Sequence, residues 1–376
     1  MEPRIGTLTI KQFRAFGELR MQGLGQVNLF TGRNNTGKSS ILEAISILAS
    51  DASPSVLYNI LRFREEDADE TEESARSLDA EGVFQLSSLF HGFPRFSTDI
   101  EPIVVTSDGG ARSMRVSIKA CWLSEDREAE GFRKFRPRQA DLFAEGEPLA
   151  GLSIEAGGQR RDMPLGILRR YGYRSRTYRA ELGDEPNLPC VSVSPYGGER
   201  TATLGPLWDK IALSNRERDV VEALRIIDPA IQAVSMVGGE GPRQTRTAIV
   251  RTASIARPVP LRSFGDGLNR LFGIVLSLVN SRNGLLLIDE FENGMHHAVQ
   301  ADAWRVIFRL ARKLNVQVFA TSHSWDAITA FQKAAAEVSQ EGVLVRLSRR
   351  KDGDIVPTAF REDELAIVAR DRIEVR

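Results

Sequence analysis

Histidine and cysteine are scarce in this chain, four and two in 376 residues. Cys121 and Cys190 stand far apart without CxxC or other ligand spacing, which excludes a zinc-knuckle or disulfide framework and leaves both as expected reduced thiols. His296 and His297 fit no metal-binding spacing with the other two histidines. Net charge is also missing: fifty basic and fifty acidic residues cancel, so global charge selects neither nucleic acid nor an acidic ligand, and any binding face is local. No apolar run approaches the length that crosses a bilayer, and the start, MEPRIGTLTIKQF, lacks the regions of an export signal. A cytoplasmic protein without a membrane partner is expected. No sustained heptad pattern is present, which excludes a long coiled coil.

What remains is ordinary globular composition, 42% hydrophobic and 27% charged, in a chain long enough for one elaborated domain or two. Within it, Gly32-Arg33-Asn34-Asn35-Thr36-Gly37-Lys38-Ser39-Ser40 satisfies the GxxxxGK[ST] spacing of a phosphate-binding loop. Two glycines let the backbone wrap an anion with its N–H groups, a lysine neutralises phosphates, and a hydroxyl ligates Mg²⁺. The flanks agree: Gln26 to Thr31 alternates like a strand, and Ile41, Leu42, Ile45 and Leu48 share one helical face in 38–50.

Ile5 to Ile10 is patterned as a strand and leads through a turn-rich connection to the strand before the loop. Residues 65–73 carry an acidic run, read as a solvated linker or helix start against a regulatory element. Ser87 to Phe96 is aromatic and turn-like. Ile103 to Leu123, around Asp108-Gly109-Gly110, predicts a hairpin, with more strand near Leu152 to Ile154. Arg169 to Arg179 interleaves five arginines with three tyrosines, which suits either a nucleic-acid or docking surface or a solvated loop edge. Leu204 to Ala233 reads as helices broken at Asp228-Pro229, and the glycines from Gly238 mark a return to the nucleotide fold.

Ser263-Phe264-Gly265-Asp266-Gly267 opens an amphipathic helix, so a serine and two glycines sit where backbone N–H groups can meet an anion; an ordinary serine cap is the plainer reading. Leu285 to Ile288 is a fully apolar strand ending in Asp289 and Glu290, beside the phosphate loop in an α/β sheet. This pattern assigns Asp289 to the Mg²⁺ shell and Glu290 to polarising the attacking water. His323 follows the next strand, Val316 to Ala320, where an imidazole can contact a γ-phosphate and orient water. Residues 343–349 and 355–360 form a closing hairpin about Asp352-Gly353, with a helix expected over 362–371.

These four segments, with Phe291-Glu292-Asn293-Gly294 after the acids and Ala320-Thr321-Ser322-His323-Ser324, resemble the ATPase part of OLD-family and RecF-like proteins. Stand-alone prokaryotic AAA-family ABC-type ATPases look most similar. The resemblance implies an α/β P-loop NTPase of ABC/RecF type with a β-rich and helical insertion between Walker A and signature. Its expected division is 1–50 with 250–376 as the nucleotide-binding domain and 51–249 as an inserted lobe. ATP and Mg²⁺ would be the cofactors. Lys38, Glu290 and His323 would be catalytic; Ser39 and Asp289 would face the metal. Asn34, Asn35, Thr36, Gly37, Lys38, Ser39 and Ser40 would bind nucleotide, with Ser263, Gly265 and Gly267 closing the site of another protomer and Phe13 and Arg14 near adenine and phosphates. The signature is SFGDG, not LSGGQ, which argues against a transporter subunit, and no Q-loop glutamine is placed. Too little chain follows His323 for a TOPRIM nuclease. A homodimer or higher oligomer that gates a separate nuclease or toxin in phage defence is expected. A RecF-like repair ATPase, with nucleic acid as a possible partner, and a slow-hydrolysing ATP switch are the alternatives.

Overall fold

The computed structural model describes residues 3–62, 86–109, 113–126, 134–137, 148–166, 188–195, 201–238, 246–338, 342–361 and 364. The acidic run 65–73, the arginine–tyrosine segment 169–179 and, apart from residue 364, the expected helix 362–371 lie outside them.

The chain begins with an antiparallel hairpin, β1 (Thr7–Phe13) and β2 (Phe16–Gln22), in which Ile10 faces Leu19. β2 occupies much of the stretch expected to be turn-rich. Leu19 and Met21 alternate with Glu18, Arg20 and Gln22, and a strand buries the apolar pair. β3 (Val27–Gly32) is buried at every position and runs into α1 (Lys38–Ala49), then α2 (Pro54–Arg62).

β4 (Ile103–Asp108) and β5 (Met114–Asp126) form the predicted hairpin about Gly109, with β6 (Lys134–Pro137), β7 (Leu149–Ala156) and β8 (Gln159–Pro164) beyond. β4 pairs with β1, giving one antiparallel sheet in the order β2-β1-β4-β5-β7-β8, with β6 against β5. Strands from the expected insertion therefore extend the amino-terminal sheet directly. The chain then crosses to β9 (Cys190–Val193), which lies parallel to a later strand.

α3 (Thr201–Asp209) and α4 (Asn215–Ile227) follow, the latter capped by the Ser214 hydroxyl, which accepts from Arg216 N. Helix stops at Asp228-Pro229, as expected, but the chain does not resume helix towards Ala233: β10 (Ile231–Gly238) pairs with β11 (Arg246–Thr252) and β12 (Val259–Pro260). A short 3₁₀ turn, Leu261–Phe264, leads into α5 (Asp266–Asn280). Then come β13 (Leu285–Ile288), α6 (His297–Leu314), β14 (Gln317–Thr321), α7 (Trp325–Ala335) and the hairpin β15 (Gly342–Arg349) with β16 (Ile355–Phe360).

A second sheet has the order β16-β15-β3-β14-β13-β9, parallel except for β16. Its strands distribute their side chains between two cores. Leu286, Ile288, Val318 and Ala320 face the helices α3 to α7. Leu285, Leu287, Phe319 and Phe30 face α1 and the antiparallel sheet. Burial on both faces explains why these strands read as continuous apolar runs. Gln317 fastens the layers at the start of β14: its amide exchanges bonds of 2.9 Å with Ile5 N and O and donates to Gly25 O at 2.8 Å.

Candidate nucleotide site

The carboxyl ends of β3, β13 and β14 converge at one edge of the parallel sheet, where ligands of open α/β folds bind. At β3 the loop 32–37 turns back on itself. Thr36 Oγ1 donates to Arg33 O at 2.8 Å, and Gly37, at φ 79°, caps α1 in the left-handed region. A Cβ on Gly37 would meet Phe16 at 2.5 Å, so glycine is required there on both counts. The first turn of α1 leaves its backbone N–H groups at Lys38, Ser39 and Ser40 without helical acceptors, a cradle suited to an anion. Lys38 Nζ donates to Gly32 O at 2.8 Å and Arg33 O at 3.1 Å, folded over that loop. Burial lowers the Lys38 pKa from its ordinary value, while Asp289, Glu290 and Glu292 pull it upward. Asn34 and Asn35 are exposed on the loop, and Arg349 of β15 donates to Asn35 O at 2.7 Å. Ser40 is buried, so its contribution to the cradle is limited to the main chain.

At the end of β13, Asp289 accepts from Ser39 Oγ at 3.2 Å and from Thr321 Oγ1 at 2.6 Å. The same Thr321 hydroxyl accepts from Glu290 N at 2.8 Å. Glu290 has φ 47°, an unusual backbone for a side chain of its size, and this bond helps to hold it. The adjoining Phe291 is fully buried and stacks on Trp304 with ring centroids 3.9 Å apart, a plug that fixes where the turn leaves the strand. Asn293 Nδ2 donates to Glu290 Oε2 at 2.5 Å and to Pro195 O at 2.8 Å. Arg270, fully buried in the first turns of α5, donates to Ser194 O at 2.5 Å, Asp289 O at 3.1 Å and Glu290 O at 3.4 Å. Thr321, Arg270 and Asn293 are the residues sequence reasoning missed. The only local signal was their place within the TSHS, signature-helix and FENG segments.

His323 is half exposed just beyond β14, with Nδ1 3.2 Å from Glu292 Oε1. Ser263 and Gly265 are exposed and Gly267 half-buried at the start of α5. They belong to a different face of the site: Gly265 and Gly267 line a cleft of about 370 Å³ with Asp228, Gly294, Met295 and His296, and no phosphate-loop residue lines it.

Phe13 and Arg14 do not occupy the positions the resemblance implied. Phe13 is fully buried in the core beneath α1 and has no surface to offer an adenine. Arg14 is 4% exposed, its Nε 2.6 Å from Glu43 Oε2 and its Nη2 donating to Ile60 O at 3.2 Å. Gln12, at φ 54°, breaks the alternation that buries Leu8 and Ile10, so Phe13 turns inward out of phase with them, and the ion pair directs the guanidinium to α1 and α2.

The donor set fits a nucleotide polyphosphate: backbone N–H groups, one lysine and a close-approach glycine. Ser39 Oγ and Asp289 Oδ1 are hard oxygen ligands that suit Mg²⁺, which takes few protein ligands and completes its shell with water and phosphate.

Comparison with known proteins agrees with this geometry. A family model described as "AAA domain, putative AbiEii toxin, Type IV TA system" matches residues 125–330, and a second, described as "AAA ATPase domain", matches residues 4–93. A protein of Helicobacter pylori named ATP/GTP phosphatase is 24% identical over 354 residues, covering 89% of each chain. An uncharacterized protein of Methanocaldococcus jannaschii is 46% identical over 59 residues, 15% of this chain and 27% of that one. Among solved structures, the Smc head bound to the C-winged helix domain of ScpA superposes with a TM-score of 0.50 at 12% identity, covering 97% of this chain and 100% of that one. That likeness is one of fold.

Proposed function

This chain belongs to the AAA-domain ATPase family whose model spans residues 125–330, and on that premise we propose that ATP closes it into a dimer that gates a separate effector protein. It is a P-loop ATP hydrolase of ABC type. The observation that carries the proposal is the separation of the two half-sites. Lys38, Ser39 and Asp289 form one hydrogen-bonded edge, whereas Gly265 and Gly267 line a different cleft, and there the exposed Ser263 and Gly265 have their backbone available to a second protomer. In this reading Lys38 and the loop N–H groups hold the phosphates, and Ser39 and Asp289 hold Mg²⁺, which neutralises charge on them. Glu290 polarises the attacking water and His323 orients it. The expected biological setting is a prokaryotic defence system with a nuclease or toxin as effector, supported by the toxin–antitoxin system named in the family description.

A second reading, a switch that binds ATP and turns it over slowly, is favoured by one contact. Asn293 holds the Glu290 carboxylate at 2.5 Å, and a carboxylate so engaged is less available to water. Light scattering with and without ATP, run beside a steady-state phosphate-release assay, tests both. An ATP-dependent doubling of mass with measurable turnover supports the first reading; doubling with negligible turnover supports the second. A constant monomer rules out the gating dimer.

A further inference from the structure

The turn after β13 places a second acid, Glu292, against the loop that carries His323. Its Oε1 accepts from His323 N at 2.9 Å and from Ser324 N at 3.1 Å, and lies 3.2 Å from His323 Nδ1. Three nitrogens therefore converge on one oxygen. The Glu292 side chain is 9% exposed and that of His323 50% exposed, so the carboxylate sits behind the imidazole and the opposite ring edge faces outward. Glu292 Oε2 is buried without a hydrogen-bond partner among the described residues. A neutral oxygen would serve two main-chain N–H groups as well, without burying an unpaired charged atom. The charge of the acid is matched to the ring nitrogen at contact distance and, further off, to the Lys38 ammonium.

We propose that Glu292 is a positioning residue for His323: it fixes the proton of the neutral imidazole on Nδ1 and presents Nε2 to the nucleotide site. The reason is donor bookkeeping. An ionised carboxylate only accepts, so the ring nitrogen facing it must donate, and a neutral imidazole then has its lone pair on Nε2. The two backbone bonds serve the same end, since they fix the loop on which the ring pivots. Without the carboxylate the ring samples both tautomers, and a fraction of molecules presents N–H where the attacking water needs an acceptor for its proton.

This inference rests on the reading of His323 as a residue of the ATPase site, and the experiment separates the two. In ¹⁵N-histidine-labelled full-length protein, assigned by comparison with His323→Ala, the His323 nitrogens should report the Nδ1–H tautomer in the parent and a mixture in Glu292→Gln. Glu292→Gln retains an amide oxygen for the two backbone donors, so ATP binding should be unchanged within about twofold while turnover at saturating ATP falls roughly ten- to a hundredfold. In the His323→Ala background the same change should have almost no further effect on turnover, since both substitutions remove one function. If His323→Ala hydrolyses ATP at the parental rate, the reading of His323 fails and the inference with it. If His323→Ala is slow but Glu292→Gln still costs its full factor there, or if the parent carries its proton on Nε2, the inference alone fails.

Discussion

Ser39 donates its hydroxyl to Asp289 at 3.2 Å across 250 residues of sequence, and this bond joins the helix after the phosphate loop to the end of the acidic strand. Each partner is held independently: Ser39 by the first turn of α1, Asp289 by the Thr321 hydroxyl at 2.6 Å. The two halves of this edge are therefore held in register by the protein's own bonds, the preorganisation that phosphoryl-transfer chemistry depends on.

Lys38→Ala and Glu290→Gln should separate binding from hydrolysis. The first removes the ammonium folded over Gly32 and Arg33 and should abolish detectable ATP binding by calorimetry. The second leaves the phosphate contacts intact and should slow turnover on the order of a hundredfold at unchanged affinity. Turnover of Glu290→Gln within about a factor of two of the parent would remove Glu290 from the role of base.

Ser263→Arg adds bulk and charge to an exposed position at the start of α5 without touching the phosphate loop. Nucleotide binding should persist, while the ATP-dependent dimer disappears from light scattering and most hydrolysis with it. An identical ATP-bound dimer in parent and variant would mean that SFGDG is simply a helix start.

Arg270→Met leaves three main-chain oxygens, those of Ser194, Asp289 and Glu290, without their buried donor. At about 1–3 kcal/mol per unsatisfied group, the urea midpoint should fall by an amount equivalent to roughly 3 kcal/mol or more. Arg270→Lys should not restore the midpoint, because a single ammonium cannot span acceptors that a planar fork reaches together. Parental stability in Arg270→Met would show that these carbonyls find water instead.

Gly37→Ala meets two obstacles, a left-handed backbone at φ 79° and a Cβ 2.5 Å from the Phe16 ring. A loss of about 1–2 kcal/mol from backbone conformation alone is expected, together with weaker ATP binding. Phe16→Leu in the same chain should recover the steric part and not the conformational part, a partial rescue readable in melting curves.

The thiols titrate upward: burial raises Cys121 to about 11 and Cys190 to about 12. Both should resist alkylation in the native protein at neutral pH. The unfolded chain ionises its thiols first, from about pH 8.5, and so binds fewer protons than the folded one. Their contribution to stability is thus complete at neutral pH and declines as pH rises through the window from about 8.5 to 12. Rapid labelling of the buried Cys121 in folded protein at neutral pH would contradict its burial.

What the sequence made legible was local. The phosphate loop and the strand ending in Asp289 and Glu290 announce themselves because fixed spacing and a continuous apolar run are set by a few neighbouring residues. β9 was not visible, since four residues, Cys-Val-Ser-Val, carry too short a pattern to distinguish a sheet strand from a loop. Arg270, Asn293 and Thr321 are ordinary residues locally, and only the tertiary fold brings them to Glu290. Phe13 and Arg14 show the converse: a role transferred by likeness gave way to a buried ring and to an ion pair with Glu43.

β9 also changes how the chain can be re-engineered. It is paired residue for residue with β13, from Cys190 beside Leu285 to Val193 beside Ile288, although it lies deep within residues 51–249. For module exchange between relatives, that stretch is two cassettes separated by a fixed rail, one ending before residue 190 and the other starting after residue 193. Transplanting them as a single block would strip the rail and leave the strand that ends in Asp289 and Glu290 as a raw sheet edge, open to pairing with foreign chains.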